Sequence, residues 1–131
     1  MSRWEVEDQD WDRVRAQLQE SLLEVARQRE LIAYSDLIQH APEIDGPHSY
    51  ALAEMLGEIS AQCDDEGLPL LSALVVYKDK NKQGPGPGFY EAAKRLGYSS
   101  GSNASAREDF WVREVTRCHD QWARGERPTA I

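Results

Sequence analysis

His40, Glu43, Asp45 and His48 fall within nine residues, and all four are side-chain types that ligate metals. Their spacing matches no standard metal site. Pro42, Pro47 and the Asp45-Gly46 pair make the segment read as a surface turn, so no metal and no cofactor are expected. Asp64 and Asp65 precede an apolar run, and Lys78 follows it. Restriction-type nucleases use such a layout to hold a metal over the scissile phosphate. The position two residues before Lys78, where that pattern wants an acid, is Val76. Cys118 adjoins His119, but neighbouring helical residues point about 100° apart and cannot form a dyad. Ser72 has no histidine near it in sequence, and the two prolines of Gly84–Gly88 remove backbone donors that a phosphate cradle needs. The expectation is a protein that is not an enzyme, with a metal-dependent nuclease ranked third among the readings.

Charge is the stronger signal. The net charge is −8, yet residues 1–67 carry sixteen acids against five arginines, while residues 68–131 carry ten basic residues against seven acids. All lysines lie between positions 78 and 94. If residues 78–82 leave the apolar run extended, Lys78, Lys80 and Lys82 share one face, with Lys94 and Arg95 following. A patch of this kind contacts phosphates without reading bases. The acidic half argues against a general nucleic-acid coat. It offers instead a docking surface for a basic partner, with Asp64, Asp65 and Glu66 its densest cluster.

These residues need elements to position them. Trp11, Val14, Leu18, Leu22 and Val25 recur at helical steps and predict a first helix over about residues 8–29. Leu31–Tyr34 reads as a short strand. Ser35 then resembles an N-cap for a brief second helix that Pro42 ends. A third helix over about 48–64 buries Leu52, Leu56, Ile59 and Cys63. Leu70–Val76 is nearly continuous in apolar residues, as in a strand covered on both sides. The glycine–proline loop through Gly88 is followed by a short helix over 89–96. Residues 98–104 read as a linker, and Ser105 with Glu108 forms a capping-box pattern. A last helix over 105–124 carries Trp111, Val115, Cys118 and Trp122 on one face, before a frayed tail at 125–131. The whole is expected to be one domain with its core in residues 8–97. It is mainly α with a small β component, and both cysteines behave as small buried hydrophobes. No apolar run approaches the ~20 residues of a membrane span. The polar N-terminus is unlike a secretory signal, which makes the cytoplasm the default.

The order of elements suggests a winged-helix-like core with added N- and C-terminal helices. Leu31-Ile32-Ala33-Tyr34-Ser35-Asp36-Leu37, the helix containing Tyr50–Leu56, the run Leu71–Tyr77 and the helix Phe89–Gly97 carry a further likeness. Together they resemble the DNA-binding domain of the alkyltransferase family and its non-catalytic alkyltransferase-like relatives. The resemblance implies a recognition helix beginning near Tyr50 and an active-site strand at Leu71–Tyr77. This sequence departs from that family at the functional positions. Ala73 stands at the alkyl acceptor, Leu74 and Val75 replace histidine and arginine, and Tyr50 replaces the arginine inserted into the duplex. The resemblance thus implies a fold without alkyl transfer. The expected function is a non-enzymatic binding module associated with nucleic acid through Lys78, Lys80, Lys82, Tyr50, Lys94 and Arg95. The alternative is an acidic interaction or inhibitor protein that mimics nucleic acid or docks a partner through Asp64, Asp65 and Glu66.

Overall fold

Helix α1 (Asp8–Arg27) forms where the apolar stripe predicted it: Trp11, Val14, Leu18 and Leu22 are buried, but the stripe continues through buried Ala26 while Val25 is only partly covered. Asp8 and Asp10 in its first turn and Arg27 in its last complement the helix dipole. The computed structural model describes residues 2–3, 6–47, 49–78, 84–99 and 103–123. A two-residue antiparallel ladder, β1 (Ser2–Arg3) with β2 (Val6–Glu7), leads into α1. After α1 come β3 (Ile32–Ala33), α2 (Tyr34–Leu37), a 3₁₀ turn at Ile38–His40 and α3 (Tyr50–Asp65). A second 3₁₀ turn at Leu71–Leu74 runs into β4 (Val75–Val76), followed by α4 (Pro87–Arg95) and α5 (Ala104–Trp122). The described residues are therefore mainly helical with a small β component. β3 and β4 pair in parallel, Ile32 opposite Val75 and Ala33 opposite Val76.

Three helices end in the same way. After α1, the Arg29 N–H donates to the Ala26 carbonyl and the Glu30 N–H to that of Val25, each at 3.0 Å, a Schellman closure. α3 and α4 close identically through Gly67 and Gly97, at φ 72° and 93°. In α1 the left-handed position is held by Arg29, at φ 55°.

The apolar run is buried as expected from Leu70 to Val75, with Val76 only half-buried, but only Val75 and Val76 are strand. Leu71–Leu74 coil into the 3₁₀ turn, because two-residue β3 offers no longer edge to pair with. α5 supplies the missing partners. Glu114 Oε1 accepts from the Leu70 N–H at 3.1 Å, Cys118 Sγ donates to the Leu70 carbonyl at 3.3 Å, and Trp111 Nε1 donates to the Ala73 carbonyl at 2.8 Å. Residues 111, 114 and 118 recur at three- and four-residue steps, so one stripe of α5 does the work of a neighbouring strand.

Other expectations shift locally. α2 starts at Tyr34 behind Ala33, so Ser35 is not its cap, and the Ser35 hydroxyl is buried without a hydrogen-bond partner among the described residues. α4 starts at Pro87, a residue whose fixed φ suits a first helical position. Asn103, rather than Ser105, caps α5 by accepting from the Ala106 N–H at 2.9 Å. Tyr98, expected in a linker, packs against the core beside Phe110. Cys63 and Cys118 are free and buried, as expected. No described helix is long and apolar enough to cross a membrane.

Candidate functional site

The 3₁₀ turn anchored by α5 forms part of the wall of a cavity of about 250 Å³, to which Ser72 contributes. Ser72 is itself buried, and its hydroxyl is hydrogen-bonded to that of Ser60 in α3. Tyr34 and Tyr77 follow the paired strands β3 and β4, so the parallel register sets them side by side. Their ring centroids are 5.4 Å apart at an interplanar angle of 51°.

Both hydroxyls close on the backbone of Gly86. The Gly86 N–H donates to Tyr34 Oη at 2.8 Å, and a Cβ at this position would come within 2.8 Å of Tyr77 Oη. Only glycine allows that approach. The Tyr77 N–H donates to the Gly84 carbonyl at 3.1 Å, and Gly84 packs under the Trp111 ring, so the glycine–proline loop is fastened on two sides. α4 contributes Phe89 and Ala92, one turn apart, and α3 contributes Leu52, Ala53, Leu56 and Gly57.

The cavity is thus walled by three aromatic rings, aliphatic side chains and small residues, with hydroxyls from Ser49, Ser72, Tyr34 and Tyr77. Among the described residues none that lines it carries a formal charge. Burial pushes the Tyr34 phenol above its ordinary value, partly offset by the Gly86 N–H. The hydroxyl therefore remains protonated and, while accepting from Gly86, keeps its own proton to donate.

The residues expected to bind nucleic acid are only partly brought together. Tyr50 is the first residue of α3 and 73% exposed, directly after Ser49, which caps the helix by accepting from the Leu52 N–H at 3.0 Å. Lys78 is exposed directly after Tyr77, with Nζ 3.8 Å from Asp36. Ser49 and Tyr77 both line the cavity, so the head of α3 and the exit from β4 flank one site. Lys80 and Lys82 lie outside the described residues. Lys94 and Arg95 sit exposed in the last turn of α4, where cations complement the helix dipole. Asp64, Asp65 and Glu66 lie at the opposite end of α3, about 22 Å from Ser49 at 1.5 Å rise per residue.

The remaining chemical candidates are dispersed. Among the described residues no three His, Cys, Asp or Glu side chains are grouped as metal ligands. Glu43 Oε2 is held by Arg13 at 2.7 Å, and His48 lies outside the described residues. Cys118 faces the core, where burial raises its thiol pKa well above the ordinary value, while His119 meets the Glu30 carbonyl at 3.0 Å. Sequence reasoning missed the cavity altogether. Its walls come from five separated stretches, and the paired tyrosines, each following a short apolar strand, were the only local signal.

No family model, no curated protein and no solved structure matches this chain.

Proposed function

We propose that this protein is a non-enzymatic binding module with a winged-helix-like core, which contacts nucleic acid through the face containing the head of α3 and the exit from β4. The observation that carries this reading is the convergence of Ser49 and Tyr77 on one cavity, with exposed Tyr50 and Lys78 as their chain neighbours. An exposed tyrosine at a helix start supplies a ring for stacking or packing, and a lysine beside it supplies charge to a phosphate. Lys80 and Lys82 continue the basic segment in sequence and add charge to the contact in this reading. The free cysteines fit a reducing compartment, and we assign the protein to the cytoplasm.

The test is fluorescence anisotropy with labelled duplex DNA. Wild-type protein binds weakly at about 20 mM salt and loses affinity steeply as salt rises. Replacing Lys78, Lys80 and Lys82 together with glutamate abolishes binding while leaving the circular dichroism spectrum unchanged. Absence of binding by the wild-type chain at low salt refutes the reading.

A second reading, docking of a basic protein, is favoured by the C-terminal end of α3. There Asp64, Asp65 and Glu66 coincide with the negative pole of the helix, and no basic residue occupies the last turn.

A further inference from the structure

We infer that the cavity between α3, the 3₁₀ turn at Leu71–Leu74 and α4 is a binding site for a small, neutral, planar aromatic molecule of one or two fused rings. This goes beyond the nucleic-acid reading and does not depend on it.

Neutrality follows from the walls. None of the described lining residues is charged, so among them a carboxylate or ammonium would find no counter-charge. Planarity follows from what faces what. Tyr34, Tyr77 and Phe89 bring aromatic surfaces, while α3 contributes Ala53 and Gly57, a row of small residues beside the row of Leu52 and Leu56. Rings stack offset or edge-to-face against such surfaces. Size follows from the volume. An apolar cavity of about 150 Å³ holds benzene, so the present one, at about 250 Å³, has room for a substituted single ring or a fused bicycle.

The polar atoms are few and fixed. Tyr34 Oη is oriented by the Gly86 N–H, and the Ser72 hydroxyl by Ser60. They suit a ligand with one or two hydrogen-bonding atoms at its edge, such as a phenol or an indole. The Gly86 hydrogen bond and the Tyr77 ring contact position Tyr34 before any ligand arrives, which removes part of the ordering cost of binding.

Indole and phenol serve as neutral probes, with benzoate and benzylammonium as charged analogues, in isothermal titration and ¹H–¹⁵N correlation spectra of the full chain. Indole binds with a Kd on the order of 10–100 µM, and the largest shifts fall on Tyr34, Ser72, Gly86 and Phe89. The charged analogues bind at least about tenfold more weakly. Gly57→Leu adds a side chain to a residue of the cavity wall, where a Cβ meets nothing within 4 Å. This variant loses indole binding and keeps its circular dichroism spectrum.

The spectra of the unsubstituted protein decide the matter even if Gly57→Leu misfolds. Failure of both indole and phenol to titrate overturns the inference. So do shifts scattered away from the cavity, or equal affinity for benzoate.

Discussion

Glu114 is a carboxylate 3% exposed on α5, and the turn carrying Ser72 depends on it. One oxygen accepts from the Leu70 N–H, and the other accepts from Arg117 Nη1 at 2.7 Å. Glu114→Ala leaves the Leu70 N–H without its acceptor in a residue that is fully buried. An unsatisfied buried donor costs about 1–3 kcal/mol, and the lost methylenes leave a small void that adds to it. Arg117 stays half-exposed and is rescued by water, so its loss of a partner adds little. The total is about 2–4 kcal/mol, which for a domain of this size lowers the melting midpoint by roughly 8–16 °C. Glu114→Gln keeps a carbonyl oxygen for Leu70 but loses the charge facing Arg117, and should cost about 1 kcal/mol. Urea titration followed by circular dichroism measures both, with the slope of the transition unchanged. Glu114→Ala within about 0.5 kcal/mol of wild type would refute the reasoning, since changes of that size are typical of uninvolved surface positions. So would equal damage from the two substitutions.

Arg29→Gly should stabilise the fold by about 0.5–1 kcal/mol in thermal melts, because glycine relieves a left-handed backbone that Arg29 adopts at φ 55°. Asn103→Ala should cost about 1 kcal/mol in urea titrations and Ser105→Ala less than half of that, since Asn103 makes the cap. Arg13 holds the Glu43 carboxyl below its ordinary value near 4.5 through their hydrogen bond. The stability from that pair is therefore present above the ordinary value and is lost as pH falls through the depressed one. Glu43→Gln should flatten this part of the acid limb of a stability–pH curve, and added salt should do the same because the pair is solvent-exposed.

The first helix was legible because its periodicity is long and regular, and every residue of the stripe from Trp11 to Leu22 is buried. The last helix was legible as an element, but its buried stripe is rotated. Phe110, Glu114 and Cys118 face the core, with Trp111, Val115 and Trp122 only partly covered. A buried glutamate hides such a phase, because pattern reading places acids outside. The run 70–76 announced its burial and not its conformation. Apolar continuity does not distinguish a strand from a tight turn, and the deciding partners are side chains more than thirty residues away. The cap of α5 was misplaced for a simpler reason: Asn103 and Ser105 both satisfy the preference, and only the backbone path chooses. The cavity was invisible for the same reason as the turn. It exists only once β3 and β4 pair and set Tyr34 beside Tyr77.

In the proposed function the head of α3 and the exit from β4 form one contact face. A ¹H–¹⁵N titration of the protein with short duplex DNA at about 20 mM salt tests it most directly, because screening is then weak. The predicted result is a set of shifts centred on Ser49, Tyr50, Tyr77 and Lys78, with Asp64–Glu66 at the far end of α3 unmoved. Shifts centred on Asp64–Glu66, or no shifts at all, would contradict it.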